Sequence, residues 1–181
     1  REAITLITAV MVALLVMTLA GQVNAGERPS FDVFEVIPGI NISFSVEPLG
    51  MLFALVASIL WLVTSIYAIG YMRGHHEKNQ TRFYAAFAIA IASTLAAAFS
   101  GNMFTLFLCY EILTLSTYPL VTHAGTKEAK RSGRIYLGIL LGTSIGFQLL
   151  AILLTWSVTG TLDFKDGGIL ASSWNLYKAQ K

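Results

Sequence analysis

Between Phe83 and Thr126 the chain runs for 44 residues with a single formal charge, Glu111. As one helix that run would extend about 66 Å at ~1.5 Å per residue, roughly twice the hydrocarbon thickness of a bilayer. It therefore has to turn once, and Ser100-Gly101-Asn102 is the one turn-like cluster inside it. The second half then starts near Met103 and carries Glu111 two helical turns in, close to mid-membrane. A charge at that depth costs about 2.5–3.5 kcal/mol on insertion scales, so such groups face a protein interior or a water-filled path. Glu111 is the first candidate functional residue.

Positions 111, 114, 118 and 122 share one helix face, and they read Glu111, Thr114, Tyr118 and Thr122, a polar stripe on an apolar helix. Pro119 removes one backbone hydrogen bond from the turn before it, so a kink or small water-accessible break is expected there. His123 ends the stripe, placed to pass protons between it and water or to sit as an interfacial histidine with a satisfied hydrogen bond. The competing reading of the stripe is structural: the hydroxyls bond backbone carbonyls and a protonated Glu111 joins two helices.

The rest of the chain has the same character. It is 55% hydrophobic and 12% charged, with a mean hydropathy of +0.68, which marks an integral membrane protein. Four further runs complete an all-α, polytopic transmembrane bundle of five spans, expected at about 3–20, 48–71, 83–99, 103–123 and 135–159. The whole of 1–181 is expected to be one partial transmembrane domain, a fragment of a longer subunit, since Arg1 is not an initiator. Between the first two spans, 21–46 is polar and then alternates Ile40, Ile42, Phe44 and Val46 with Asn41, Ser43 and Ser45. That period of two after Pro38-Gly39 predicts a short extramembrane β-hairpin. Glu47-Pro48 marks the start of helix 2. The third span carries eight alanines and suits a bundle interior, and the fifth carries Gly138, Gly142 and Gly146, a small-residue ridge for helix packing.

Several chemistries have no support. Cys109 is the only cysteine, so no disulfide forms within the chain and a buried packing role is expected. His75 and His76 are adjacent but no third metal ligand follows at useful spacing. Nothing is arranged to hold flavin, haem or an iron–sulfur cluster, so no cofactor and no metal are expected, and the net charge of +2 gives no reason to invoke nucleic acid. Orientation follows from basic residues. Eight lie on the side of the chain start and the loops at 73–82 and 127–134, against Arg28, Lys165, Lys178 and Lys181 on the other. The positive-inside bias places the first side in the cytoplasm and the hairpin outside.

Asn102-Met103-Phe104-Thr105-Leu106-Phe107, leading to Tyr110-Glu111-Ile112-Leu113 and Ser116-Thr117-Tyr118-Pro119-Leu120, resembles the glutamate-bearing helix of antiporter-like membrane subunits. That family is shared by respiratory complex I and the Mrp-type cation/proton antiporters. Val46-Glu47-Pro48-Leu49, Tyr71-Met72-Arg73, Arg82-Phe83-Tyr84 and Thr159-Gly160-Thr161-Leu162-Asp163-Phe164 resemble it in the same order, so the likeness covers roughly 31–166. Thr117-Tyr118-Pro119-Leu120 leans toward the D-type members of the Mrp group. Glu47 stands where the family has aspartate, and Tyr110 where it has tryptophan; charge and aromaticity are kept. The resemblance implies a multi-pass subunit of the cell (inner) membrane, within a lipid bilayer and beside other membrane subunits. It implies that protons, exchanged for Na+, are the cargo, and that Glu111 is a proton and charge switch paired with a central lysine on a later helix. It equally admits a proton-pumping subunit of an NADH:quinone oxidoreductase-type complex, which would make the chain part of a redox-driven assembly. A non-transporting membrane scaffold is the rival from another class.

Overall fold

The computed structural model describes residues 2–171; Arg1, Lys178 and Lys181 of the charge count fall outside the described residues. Five helices are long and apolar enough to cross a membrane: α1 (Glu2–Asn24), α2 (Pro48–Gly74), α3 (Gln80–Ala98), α4 (Met103–Val121) and α5 (Lys127–Thr159). Each packs against the next along the chain, so they form an up-and-down series. A two-stranded antiparallel sheet, β1 (Ser30–Ile37) and β2 (Ile40–Ser45), separates α1 from α2. The chain is a multi-pass, mostly helical membrane protein with the hairpin where it is expected.

The hairpin turns at Pro38-Gly39, with proline setting the first central position and Gly39 taking φ +85°, a region closed to most side chains. Ser30 pairs with Ser45 and Ile37 with Ile40, and Phe31 stacks on Phe44 at 5.4 Å. β1 is exposed along its length, whereas β2 leans on the helices. Its backbone meets the α3–α4 turn through Ser45 N–H to Phe99 O (2.7 Å) and Gly101 N–H to Ser43 O (2.9 Å). The segment after α5 joins the same end, with Met103 N–H to Leu162 O at 3.0 Å and Phe164 N–H to Gly101 O at 3.1 Å.

Several helix boundaries differ from expectation. α5 begins at Lys127, eight residues before the apolar run at Ile135, because Thr126 caps it by accepting from Ala129 N–H at 3.0 Å. A helix of 33 residues spans about 50 Å, so its basic first turns project past a ~30 Å core. α3 likewise starts at Gln80 rather than at Phe83, and α1 runs on to Asn24, taking up the first residues of the expected polar segment. α5 also contains a wide π turn over Ser144–Leu149.

Val16 and Val23 of α1 meet Met51 and Ala54 of α2, with Leu95 of α3 and Phe99 just past its end packed alongside. At Gly50 a β-carbon would lie 2.2 Å from the Ala98 carbonyl oxygen, so the start of α2 presses directly on the end of α3. Within α3, Ala86 and Ala90 are buried, and this thin helix lies against both α2 and α4.

Candidate functional site

α4 is positioned from its first residue. Asn102 is 2% exposed and caps the helix by accepting from Thr105 N–H at 2.7 Å. Its amide donates to Asn41 O and to Ser43 Oγ, both at 2.7 Å, while Thr105 Oγ1 accepts from Ser43 N–H at 3.0 Å. The hairpin therefore holds the N-terminus of the glutamate helix in a fixed register. Ser100-Gly101-Asn102 is legible as a turn in the sequence; its function as a buried staple between α4 and the hairpin is not, although an Asn just before an apolar helical run is an N-cap signal.

Two turns further, Glu111 is half-buried, yet both carboxylate oxygens are shut away from the surface without a hydrogen-bond partner among the described residues. Burying a carboxyl this way is costly unless a proton, a cation or water satisfies it. Arg73 closes α2, Arg82 opens α3, and the basic residues of α5 lie at or before Arg134. None reaches the middle of a span.

The stripe forms as a line of shielded groups with different local roles. Thr114 (3% exposed) and Thr122 (4%) are buried, and Tyr118 is half-buried. Thr122 Oγ1 donates to Tyr118 O at 2.8 Å, and the neighbouring Thr117 and Ser116 donate to Thr114 O and Leu113 O, each at 2.7 Å. Those three hydroxyls satisfy their own helix, and of the three only Thr122 belongs to the stripe. Pro119 sits inside α4, which continues to Val121. Facing the stripe is Gly133 of α5, where a β-carbon would stand 2.4 Å from Thr122 Cγ2 and 3.3 Å from the Tyr118 ring. Gly138, Gly142 and Gly146 are exposed, with nothing within 4 Å of the added carbon. The glycine that packs on the stripe thus lies outside the ridge that spacing picks out.

His123 lies at the far end of the stripe. Neither ring nitrogen has a hydrogen-bond partner among the described residues, and Phe83 packs edge-on at 5.5 Å. Its Nε2 stands 3.6 Å from Glu77 Oε2 on the α2–α3 loop, a residue that in the sequence belongs to an undifferentiated polar loop. Cys109 is buried in α4.

These features define a class: a helical membrane protein with a shielded intramembrane acid at the centre of one span. Comparison with known sequences carries the assignment further. Residues 38–84 match the family described as NADH-Ubiquinone oxidoreductase (complex I), chain 5 N-terminus, and residues 100–177 match the family NADH:quinone oxidoreductase/Mrp antiporter, TM. Together they cover more than half of the chain. The chain belongs to the antiporter-like membrane subunit family shared by NADH:quinone oxidoreductase and the Mrp antiporters.

Its relatives come from both branches. It is 30% identical to the N-type subunit of the NADH-quinone oxidoreductase of Desulforudis audaxviator, over 85% of this chain and 30% of that one. It is also 30% identical to the D-type subunit of the Na(+)/H(+) antiporter of Alkalihalophilus pseudofirmus, over 62% of this chain and 22% of that one. The chain thus spans a third or less of these curated relatives. In fold it resembles a chain of the Mrp complex from Dietzia sp. DQ12-45-1b, with a TM-score of 0.70 at 20% identity over 89% of this chain and 30% of that one. A chain of the membrane-bound sulfane sulfur reductase, an archaeal respiratory membrane complex, gives 0.74 at 22% identity, over 90% of this chain and 33% of that one.

Proposed function

We propose that the chain is part of a proton-translocating subunit that exchanges a monovalent cation, Na+, for protons, with Glu111 as the intramembrane charge switch. The observation that carries this reading is the pair of Glu111 carboxylate oxygens, buried and unpartnered in mid-span. A shielded carboxyl favours its neutral form and an approaching ammonium favours its charged form, so a mobile cationic partner converts such a site into a proton switch. No Lys or Arg in the middle of the described spans can play that part. The partner proposed here is the one that the family resemblance implies, a central lysine on a later helix of the same subunit. Thr114, Tyr118, Thr122 and His123 supply the polar path, and Gly138, Gly142 and Gly146 seat a further helix against α5.

A proton-pumping role in an NADH:quinone oxidoreductase-type complex is the second reading, favoured by 30% identity to the Desulforudis oxidoreductase subunit over 85% of this chain. Both readings need Glu111 to titrate, whereas a scaffold does not. In the complete subunit within its complex, Glu111→Gln is expected to abolish proton movement with assembly intact, and Glu111→Asp to retain part of it. Replacing Na+ by K+ or choline then separates cation exchange, which stops, from redox-driven pumping, which does not.

A further inference from the structure

We infer that Glu77 and His123 together form the port through which protons pass between the water at the α2–α3 loop and the Glu111 stripe; this rests on the proposed role of Glu111. The His123 ring carries an unmet hydrogen-bonding demand. An imidazole whose two nitrogens are both buried without a hydrogen-bond partner is a costly arrangement for a side chain that always has something to donate. The carboxylate of Glu77 is the only one among the described residues within 4.0 Å of a His123 nitrogen, with Oε2 3.6 Å from Nε2. The Glu77 side chain is 35% exposed and that of His123 only 15%, so the pair is graded from water toward the interior.

The loop is built to hold that acid in place. Gln80 donates to Glu77 O at 3.0 Å and to Met72 O at 3.3 Å, and Glu77 N–H bonds Met72 O at 3.1 Å. On either side of Glu77 the backbone takes the left-handed region, at His76 (φ +51°) and Asn79 (φ +57°). Phe83 closes one side of the imidazole. The other charged groups at this end are engaged or solvated. Arg73 of α2 pairs with Glu2 of α1 and interacts with Tyr84 of α3, while Arg82 and the basic side chains of α5 are exposed. Toward α4, α5 presents Gly133, which leaves no side chain between it and Thr122.

The transfer balances as follows. A protonated buffer molecule in the water at the loop gives a proton to the Glu77 carboxylate, leaving its conjugate base behind, so supply to the port does not depend on hydronium. Rotation of the partly exposed Glu77 side chain closes the 3.6 Å gap to hydrogen-bonding distance. The new O–H bond then breaks as Nε2 takes the proton, and Nδ1–H passes its own proton inward to water. Rotation of the ring restores the first tautomer, and one proton has moved. From His123 to Glu111 the path follows α4 for about 18 Å at ~1.5 Å per residue, past Thr122, Tyr118 and Thr114, with water molecules between them. Imidazole suits this because it ordinarily exchanges protons between pH 5 and 8.

The test uses the complete subunit in its complex, reconstituted in vesicles, with initial rates of proton movement measured with the loop side at pH 6 to 8. The intact port is expected to keep the rate nearly constant. In His123→Ala, delivery depends on hydronium directly, so the rate falls about tenfold per pH unit above pH 6, and added imidazole restores it. Glu77→Gln, at a partly exposed position, shows the same slope and decides the matter if His123→Ala assembles poorly. Rates that match the unmodified protein at pH 8 in Glu77→Gln or in an assembled His123→Ala overturn the port. So does a loss independent of pH and not relieved by imidazole, since that is what a structural role produces. Glu111→Gln is run beside them: its loss of transport together with intact rates in the port variants removes the port and leaves the role of Glu111 standing.

Discussion

Gly133 is the residue on which the fit of α5 against the glutamate helix turns. A β-carbon there meets Thr122 Cγ2 at 2.4 Å, and Thr122 cannot swing aside because its hydroxyl is bonded to Tyr118 O and the residue is buried. Gly133→Ala is therefore expected to destabilise the α4–α5 contact by about 1–3 kcal/mol, read as a lower unfolding temperature in detergent. Gly142→Ala, with open space around it in this chain, should leave that temperature unchanged. Spacing alone cannot separate the two, because a repeat of four finds a ridge on a helix but not the side on which a neighbour lies. Glu111 is legible for the opposite reason: one charge in 44 apolar or neutral residues stands out in any register. Glu77 is not, since nothing local distinguishes it from the charged residues around it and its partner lies 46 positions along the chain.

Among the elements, α4 is the best anchored, and its anchor is a single amide. Asn102 satisfies the helix start and two groups of the hairpin while 2% exposed. Thr126 makes only an exposed cap on α5. Removing a cap costs about 0.5–2 kcal/mol, and leaving buried groups unpaired adds about 1–3 kcal/mol. Asn102→Ala should therefore lower thermal stability distinctly more than Thr126→Ala, and an equal effect would show that the hairpin does not hold the helix. The five helices and the hairpin are readable from apolar run length and the period-two pattern. The early start of α5 is not, because its first turns are basic and hydropathy reports only the part that suits lipid. What fixes that start is the Thr126 cap, a hydrogen-bonding signal.

At the scale of the whole molecule, the contacts sort the loops into two ends. The Glu2–Arg73 and Glu77–His123 pairs lie at one end, and the hairpin, the Asn102 staple and the segment at Leu162 lie at the other. With the basic bias, this predicts that cysteines at His76 and Lys130, in a Cys109→Ser background, are labelled from the cytoplasm and one at Ser30 from outside. Labelling of Ser30 and His76 from the same side would refute the arrangement. α5 is the least buried of the five helices: only 11% of its most apolar stretch is buried, against 28% in α2 and α4. A face that bare, carrying a glycine ridge, accounts for the expected loss of assembly when Gly142→Leu is placed in the complete subunit. On the proposed function, Glu111 must change its charge for the subunit to move protons. The direct test is proton movement by the assembled complex in vesicles carrying Glu111→Gln, which keeps the size of the side chain and removes its titration. Full assembly with no proton movement above the leak of empty vesicles is the expected result; transport at the rate of the unmodified protein would contradict the proposed role of Glu111.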